Sequence, residues 1–139
     1  MRQYLKYLFL FVTGGFLYNL MELGFRGWTH WTMFFLGGLC FVALGLINEI
    51  ISWEMLMWQQ MVIGACIITG LEFITGCIVN LWLGWNVWDY SSIPGNFLGQ
   101  ICPQFLALWL LVALAGIMLD DWLRYWLFGE NKPYYRLFK

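Results

Sequence analysis

One carboxylate dominates the chemistry this chain can be expected to carry. Glu72 stands in the middle of ACIITGLEFITGCIVN (residues 65–80), and no Lys or Arg occurs between Arg26 and Arg124 to pair with it nearby in sequence. At ~100° per residue, Ala65, Thr69, Glu72, Gly76 and Asn80 fall within roughly 80° of one helical face, a small and polar stripe among Ile, Leu, Phe and Val. An acidic residue at the centre of a membrane span costs ~2.5–3.5 kcal/mol on insertion scales, so it faces a bundle interior or a wet cavity. As a neutral acid it donates a hydrogen bond across helices; as a group that gains and loses its proton it couples to protons or binds a cation. The reading adopted from sequence is the second, with Glu72 as the central binding group and Thr69 and Asn80 as its neighbours.

The other polar candidates lie towards span ends. Glu22 and Arg26 are four residues apart, share a helix face and can pair; they form an expected outer mouth, and Asn19 is a further candidate binding residue. Glu49 and Asp120 are expected at the inner one, where Asp120 and Asp121 also reach Arg124 by helical spacing. Asn19, Asn48 and Asn80 are natural interhelical hydrogen-bonders, and Gly14, Gly15, Gly37, Gly38 and Gly45 allow close helix approach. His30 is the single histidine and sits in a turn.

Composition says what must position these groups. The 139 residues are 62% hydrophobic, 21% aromatic and 11% charged, with a mean hydropathy of +0.70. Soluble domains run near ~45–50% apolar and ~25% charged, which makes an integral membrane protein the expected class. A net charge of −1 and the absence of a basic patch argue against a nucleic-acid partner. Cys40, Cys66, Cys77 and Cys102 form no CxxC pair and have no metal-ligand spacing. The expectation is therefore no metal and no cofactor, with thiols packing as small apolar groups. No P-loop, HExxH, GxSxG or Rossmann glycine pattern is present, so no catalytic residue is expected. The first apolar run lacks an AxA-like end and continues to Asn19 and Glu22, which argues against a cleavable signal peptide.

Four apolar runs reach the ~20 residues that a spanning helix needs: 4–25, 31–51, 60–83 and 101–122. The fold class is all-α, integral membrane, with four transmembrane helices in a single membrane domain. Residues 26–30 and 52–59 are short links. The third, 84–100 (GWNVWDYSSIPGNFLGQ), is long and aromatic, suited to the headgroup layer; sequence leaves open whether it lies on the surface or dips back. Arg2 and Lys6 precede the first run, and Arg124, Lys132, Arg136 and Lys139 follow the fourth. The positive-inside rule then places both termini in the cytoplasm, with Arg26 as an exception explained by Glu22.

Offsets from the two glutamates repeat. Gly15, Asn19, Glu22 and Arg26 stand in the same register as Ala65, Thr69, Glu72 and Gly76, and Gly45–Glu49 echoes Gly116–Asp120. This suggests two tandem hairpins, 1–59 and 60–139, of the kind that place a transporter's site at the repeat interface.

The runs ELGFRGWTHWTMFFLGG, GLINE, LEFITGCIVN, LWLGWNVWDYSSIPGN, GQICPQF and LDDWLRYWLFGE together resemble a small bacterial membrane family, the CmpB-like ABC-transporter type IV permeases. The resemblance spans nearly all of residues 15–130. It implies a multi-pass permease of the bacterial cytoplasmic membrane, and, because the chain holds no Walker A loop, an ATPase or other membrane protein as a separate partner. The combined expectation is a non-enzymatic bundle that forms homo-oligomers, dimers being favoured, and takes part in moving a small solute or cation. The rival is a non-transporting scaffold or accessory subunit that binds another membrane protein.

Overall fold

The computed structural model describes residues 2–50, 55–130, 132, 133 and 135, with backbone alone at 2 and 48–50. Four α-helices account for most of the described chain: α1 (Arg2–Arg26), α2 (Trp31–Ile50), α3 (Met57–Gly76) and α4 (Pro103–Phe128). Each continuous apolar run satisfies its own backbone groups by coiling, which a nonpolar environment demands. α1, α3 with its continuation to Trp82, and α4 are long and apolar enough to cross a membrane by length and composition; α2 contributes a shorter apolar stretch, Trp31–Ile47. Among the described residues there is no named strand; Phe97 and Ile101 form an isolated antiparallel bridge.

Local chemistry sets the helix ends. Gly27, at φ +78°, ends α1, its amide bonded back to the Leu23 carbonyl at 3.0 Å. His30 Nδ1 accepts the Thr32 amide at the start of α2. Pro103 opens α4, where the amide it lacks has no intrahelical partner, and Gly129, left-handed at φ +68°, closes it. α4 thus runs six residues beyond the end expected at Trp122. Arg124, read from sequence as a flanking cation, is instead inside the helix and 3% exposed.

The helices pack as two hairpins, α1 on α2 and α3 on α4, joined through α2, which touches both α3 and α4. Gly14 and Gly37 face each other where α1 crosses α2. A Cβ on Gly14 would collide with Phe41 and come within 2.9 Å of the Gly37 carbonyl, and one on Gly37 would collide with Tyr18. Gly64 meets Ala113 in the same way where α3 crosses α4. Without a hydrophobic drive between helices in lipid, this close approach is the source of association. Gly14→Val is therefore expected to push α1 from α2 and lower stability by about 1–3 kcal/mol, read as the thermal midpoint in nanodiscs. An unchanged midpoint would show that the crossing is loose.

Past Gly76 the third helix widens into a π-helix, Cys77–Trp82. From Leu83 to Cys102 the chain folds back on the bundle rather than lying across its end. Val87 is 1% exposed, and Trp88 and Gln100 are buried. For orientation, the end of the bundle carrying residues 83–102 is called the loop end and the opposite one the terminal end.

Candidate functional site

The inward stripe on α3 is where the site is built. Ala65, Glu72 and Gly76 are buried, and Thr69 is half-buried. Glu72, 2% exposed, accepts two hydrogen bonds from neutral donors: the Tyr90 hydroxyl on Oε2 at 2.9 Å and the Trp109 indole on Oε1 at 3.2 Å. Tyr90 comes from the returning loop and Trp109 from α4, so this carboxylate ties loop, α3 and α4 together. Reaching Glu72 from Trp82 means returning ten residues, about 15 Å of helix. The 84–100 segment therefore dips well into the loop end of the bundle.

A second set of bonds holds the loop in that position. Asn80 Oδ1 accepts the Val87 amide at 2.6 Å and the Trp88 amide at 3.3 Å, while its Nδ2 donates to Gln100 Oε1 at 2.8 Å. The Trp88 indole donates to the Gln100 carbonyl at 3.1 Å. A Cβ on Gly76 would meet Gln100 and Trp88, so the glycine makes room for the fold-back. Tyr90 stacks on Phe105 with ring centroids 4.8 Å apart and 8° between planes. Thr69 Oγ1 is buried without a hydrogen-bond partner among the described residues. Asn80 and Thr69 thus sit one above and one below Glu72, and Asn80's side chain is engaged with the loop.

Beside this latch lies a cavity of about 230 Å³, lined by Tyr18, Met21, Glu22, Phe25 and Arg26 of α1, Met33 of α2, Trp88 and Tyr90 of the loop, and Phe105, Leu108 and Trp109 of α4. Glu72 stands behind its wall, holding two of the rings that form it. Glu22 and Arg26 are in ionic contact, and Arg26 Nη1 donates to the Val87 carbonyl at 2.7 Å. Its guanidinium lies 4.0 Å from the Trp28 ring centroid. Asn19 Oδ1 accepts the Thr29 hydroxyl at 3.0 Å, in the turn after α1.

The family model described as "Putative ABC-transporter type IV" matches residues 7–127. The chain belongs to that family. No curated protein and no solved structure matches it. The match covers all four helices and both sides of the loop-end cavity of this type IV family member.

A second cavity of about 230 Å³ continues from the first. Its lining includes Gly14 and Leu17 of α1, Gly37 and Cys40 of α2, and Ala115, Gly116 and Leu119 of α4. The two share Tyr18, Met21 and Trp109; the Tyr18 and Trp109 rings stand 6.3 Å apart at that junction. Together they follow a cleft between α1 and α4 over α2. From Gly14 to Arg26 it covers twelve residues of α1, about 18 Å.

At the terminal end lies the other polar cluster of this type IV chain. Asp120, 0% exposed, accepts from Arg124 Nε at 2.8 Å and fills the space over Gly45. Lys6 pairs with Glu130 at 2.8 Å, and Tyr135 donates to Asp121 at 2.9 Å. The side chains of Asn48 and Glu49, and residues 51–54, lie outside the described residues. Among the described residues no group of three or more His, Cys, Asp or Glu is placed to hold a metal ion.

The structure therefore brings Glu22, Arg26 and Glu72 to one locality, with Thr69 on α3 and Asn80 in the π-helical turn that follows it, and sets Asp120 at the far end. Tyr90, Trp109 and Gln100 belong to the site but were not candidates from sequence. The one available signal was that a buried carboxylate needs donors, and the aromatic loop and α4 were rich in them.

Two ionisable groups of the loop are shifted. The Ser91 backbone amide, and after it the Ser91 side chain, hold Asp89 below the usual aspartate range. Burial first, and then the charge of Glu72, push the Tyr90 hydroxyl well above its ordinary 10.0. A group whose folded-state value is raised contributes its full stability below the unfolded value and loses it as pH rises. Stability is thus expected to fall above about pH 10, and Tyr90→Phe to make that fall shallower. Thermal midpoints of both proteins between neutral and alkaline pH check this; parallel slopes would contradict it.

Proposed function

We propose that this membrane protein takes part in moving a small solute or cation along the α1–α4 cleft, in an oligomeric bundle whose favoured form is a homodimer. The observation that carries the reading is the Glu72 latch: one buried carboxylate holds Tyr90 and Trp109, both in the wall of a cavity that adjoins a second one. Glu22 with Arg26 would flank the loop-end mouth. Asp120, with Glu49 beside it on the sequence reading, would flank the terminal end. Releasing Trp109 from Glu72 would move a ring at the junction of the cavities, and releasing Tyr90 a ring in the loop-end wall, which makes Glu72 a positioning residue of the path. The family description supports a transport setting and a separate ATPase as partner.

One observation favours an accessory or scaffold role instead. Both oxygens of Glu72 already accept a donor, which is also what a purely structural carboxylate does.

Access to water separates the two. With Cys40, Cys66, Cys77 and Cys102 changed to alanine, Met33→Cys reports on the loop-end cavity and Ala115→Cys on its neighbour. In reconstituted vesicles a membrane-impermeant charged thiol reagent is expected to label Met33→Cys from the loop side and Ala115→Cys from the other. Failure at both sites would move the weight to the accessory reading.

A further inference from the structure

We infer that the two joined cavities hold a neutral, lipid-soluble ligand: a flat ring system with a ring carbonyl and an aliphatic chain attached beside it, the chemical class of the prenylated quinones. Its ring lies in the loop-end cavity, its chain in the neighbouring one, and its carbonyl on the Tyr18 hydroxyl at the junction. Such a ligand is a solute class for the cleft, and it rests on the path reading above for its onward movement but not for its binding.

The walls divide by chemistry. Phe25, Trp88, Tyr90, Phe105 and Trp109 make the loop-end cavity largely aromatic. Leu17, Leu44, Ile68, Val112 and Leu119 make its neighbour largely aliphatic. Tyr18 belongs to both. Ring faces and edges favour a flat head in the first, and the second suits a flexible chain. An apolar cavity of roughly 150 Å³ takes benzene, so the 230 Å³ at the loop end takes a fused pair of rings. Leu17, Ala115 and Leu119, in the wall of the aliphatic cavity, are exposed on the side of the bundle. That cavity therefore opens sideways, and a chain longer than the cleft runs out into the hydrocarbon.

The polar groups of the walls select a neutral ligand with one acceptor. Glu22 and Arg26 neutralise each other in an ion pair, and Arg26 also donates to the Val87 carbonyl. The Tyr90 hydroxyl and the Trp109 indole are committed to Glu72, and the Trp88 indole to the Gln100 carbonyl. A charged ligand would find no free counter-charge here and would lose its hydration. Tyr18 is different. It is 8% exposed, and among the described residues no hydrogen bond reaches its hydroxyl. Nor is that hydroxyl sealed into the packing as the oxygens of Thr69 and Gln60 are; it faces the space the two cavities share. A donor buried without a partner is costly, and a carbonyl placed where ring meets chain would satisfy it. The Cys40 thiol in the aliphatic wall is a weak donor by comparison.

Tritiated menaquinone with a geranylgeranyl chain is the probe, with the wild-type protein in nanodiscs and a scintillation proximity readout corrected for empty nanodiscs. Saturable binding is expected, displaced by the unlabelled quinone. Menadione, which lacks the chain, and geranylgeraniol, which lacks the ring, are expected to compete far more weakly. Tyr18→Phe is expected to weaken quinone binding ~2–10-fold while a long-chain alkylnaphthalene, which has no carbonyl, competes equally well on both proteins. Ala115→Trp fills the aliphatic cavity from its exposed lip and is expected to abolish binding. Geranylgeraniol competing as well as the quinone would show that any lipid chain fills the cleft, and would overturn the assignment. Unweakened quinone binding by Tyr18→Phe would overturn it, as would the absence of saturable binding. Cysteine labelling, done without quinone, decides the path separately: failure at both sites beside saturable quinone binding would sink the path and keep the ligand.

Discussion

Glu72→Leu is expected to lower stability by about 1–4 kcal/mol, because it strands the buried Trp109 indole at about 1–3 kcal/mol and the half-buried Tyr90 hydroxyl at less. The hydroxyl of Tyr90 and the indole N–H of Trp109 both end on this carboxylate, at a site 2% exposed. The loss should appear first at the loop end: amide exchange at Val87 and Trp88 should accelerate before exchange in α1 or α2 does. A Glu72→Leu protein with an unchanged thermal midpoint and unchanged loop exchange would mean that the latch holds nothing.

Glu72→Gln requires more care than the sequence suggests. Viewed as a lone polar residue in a stripe, a glutamine looks able to keep the interhelical bond, so that any defect would speak for transport. The structure removes that contrast. A carboxylate accepts from both donors, whereas an amide offers one oxygen and turns its NH₂ group against the second donor. Glu72→Gln is therefore expected to lose about one bond, on the order of 1–3 kcal/mol, whether the chain transports or only assembles. Labelling at the two cavities, not stability, is the measurement that tells the roles apart. Tyr90→Phe alongside Glu72→Gln closes a double-mutant cycle, and coupling in that cycle would locate the lost bond at the hydroxyl.

The helices were legible because spanning length and continuous apolarity are one-dimensional properties, and the four expected runs meet four helices. The burial of the stripe was legible for a similar reason: Glu72 has nowhere else to point at a spacing shared with Ala65 and Gly76. Its partners were not. Tyr90 and Trp109 lie 18 and 37 residues further along the chain, and nothing in local pattern ties them to it. The fold-back of 84–100 was hidden because Trp85, Trp88 and Tyr90 suit an interface as well as an interior. The Tyr90 bond to Glu72 and the bonds from Asn80, aimed by a π-helical turn that leaves no sequence signature, decide for the interior. Arg124 misled for the opposite reason. A basic residue after an apolar run reads as a flank, and only Asp120, packed over the bare backbone of Gly45, makes a place for it within the helix.

That buried pair gives the other large effect. Arg124→Met is expected to cost about 3–5 kcal/mol, because it leaves the buried Asp120 carboxyl without its ion-pair partner. Asp120 is 0% exposed, and its bond from Arg124 Nε is 2.8 Å. Gly45, opposite, has no room even for a Cβ beside the carboxylate, so the group cannot swing away to water. If the cost comes from stranding the charge, removing the second charge as well should recover much of it. Leucine has the shape of aspartate, so Asp120→Leu with Arg124→Met fills the same space with apolar atoms, and such replacements of buried pairs are often neutral or better. The double variant should therefore be more stable than Arg124→Met alone, measured as thermal midpoints in nanodiscs. Simple additivity of the two losses would show instead that Arg124 acts through Glu130 and the Tyr7 ring, which it also approaches, and that its pairing with Asp120 is incidental.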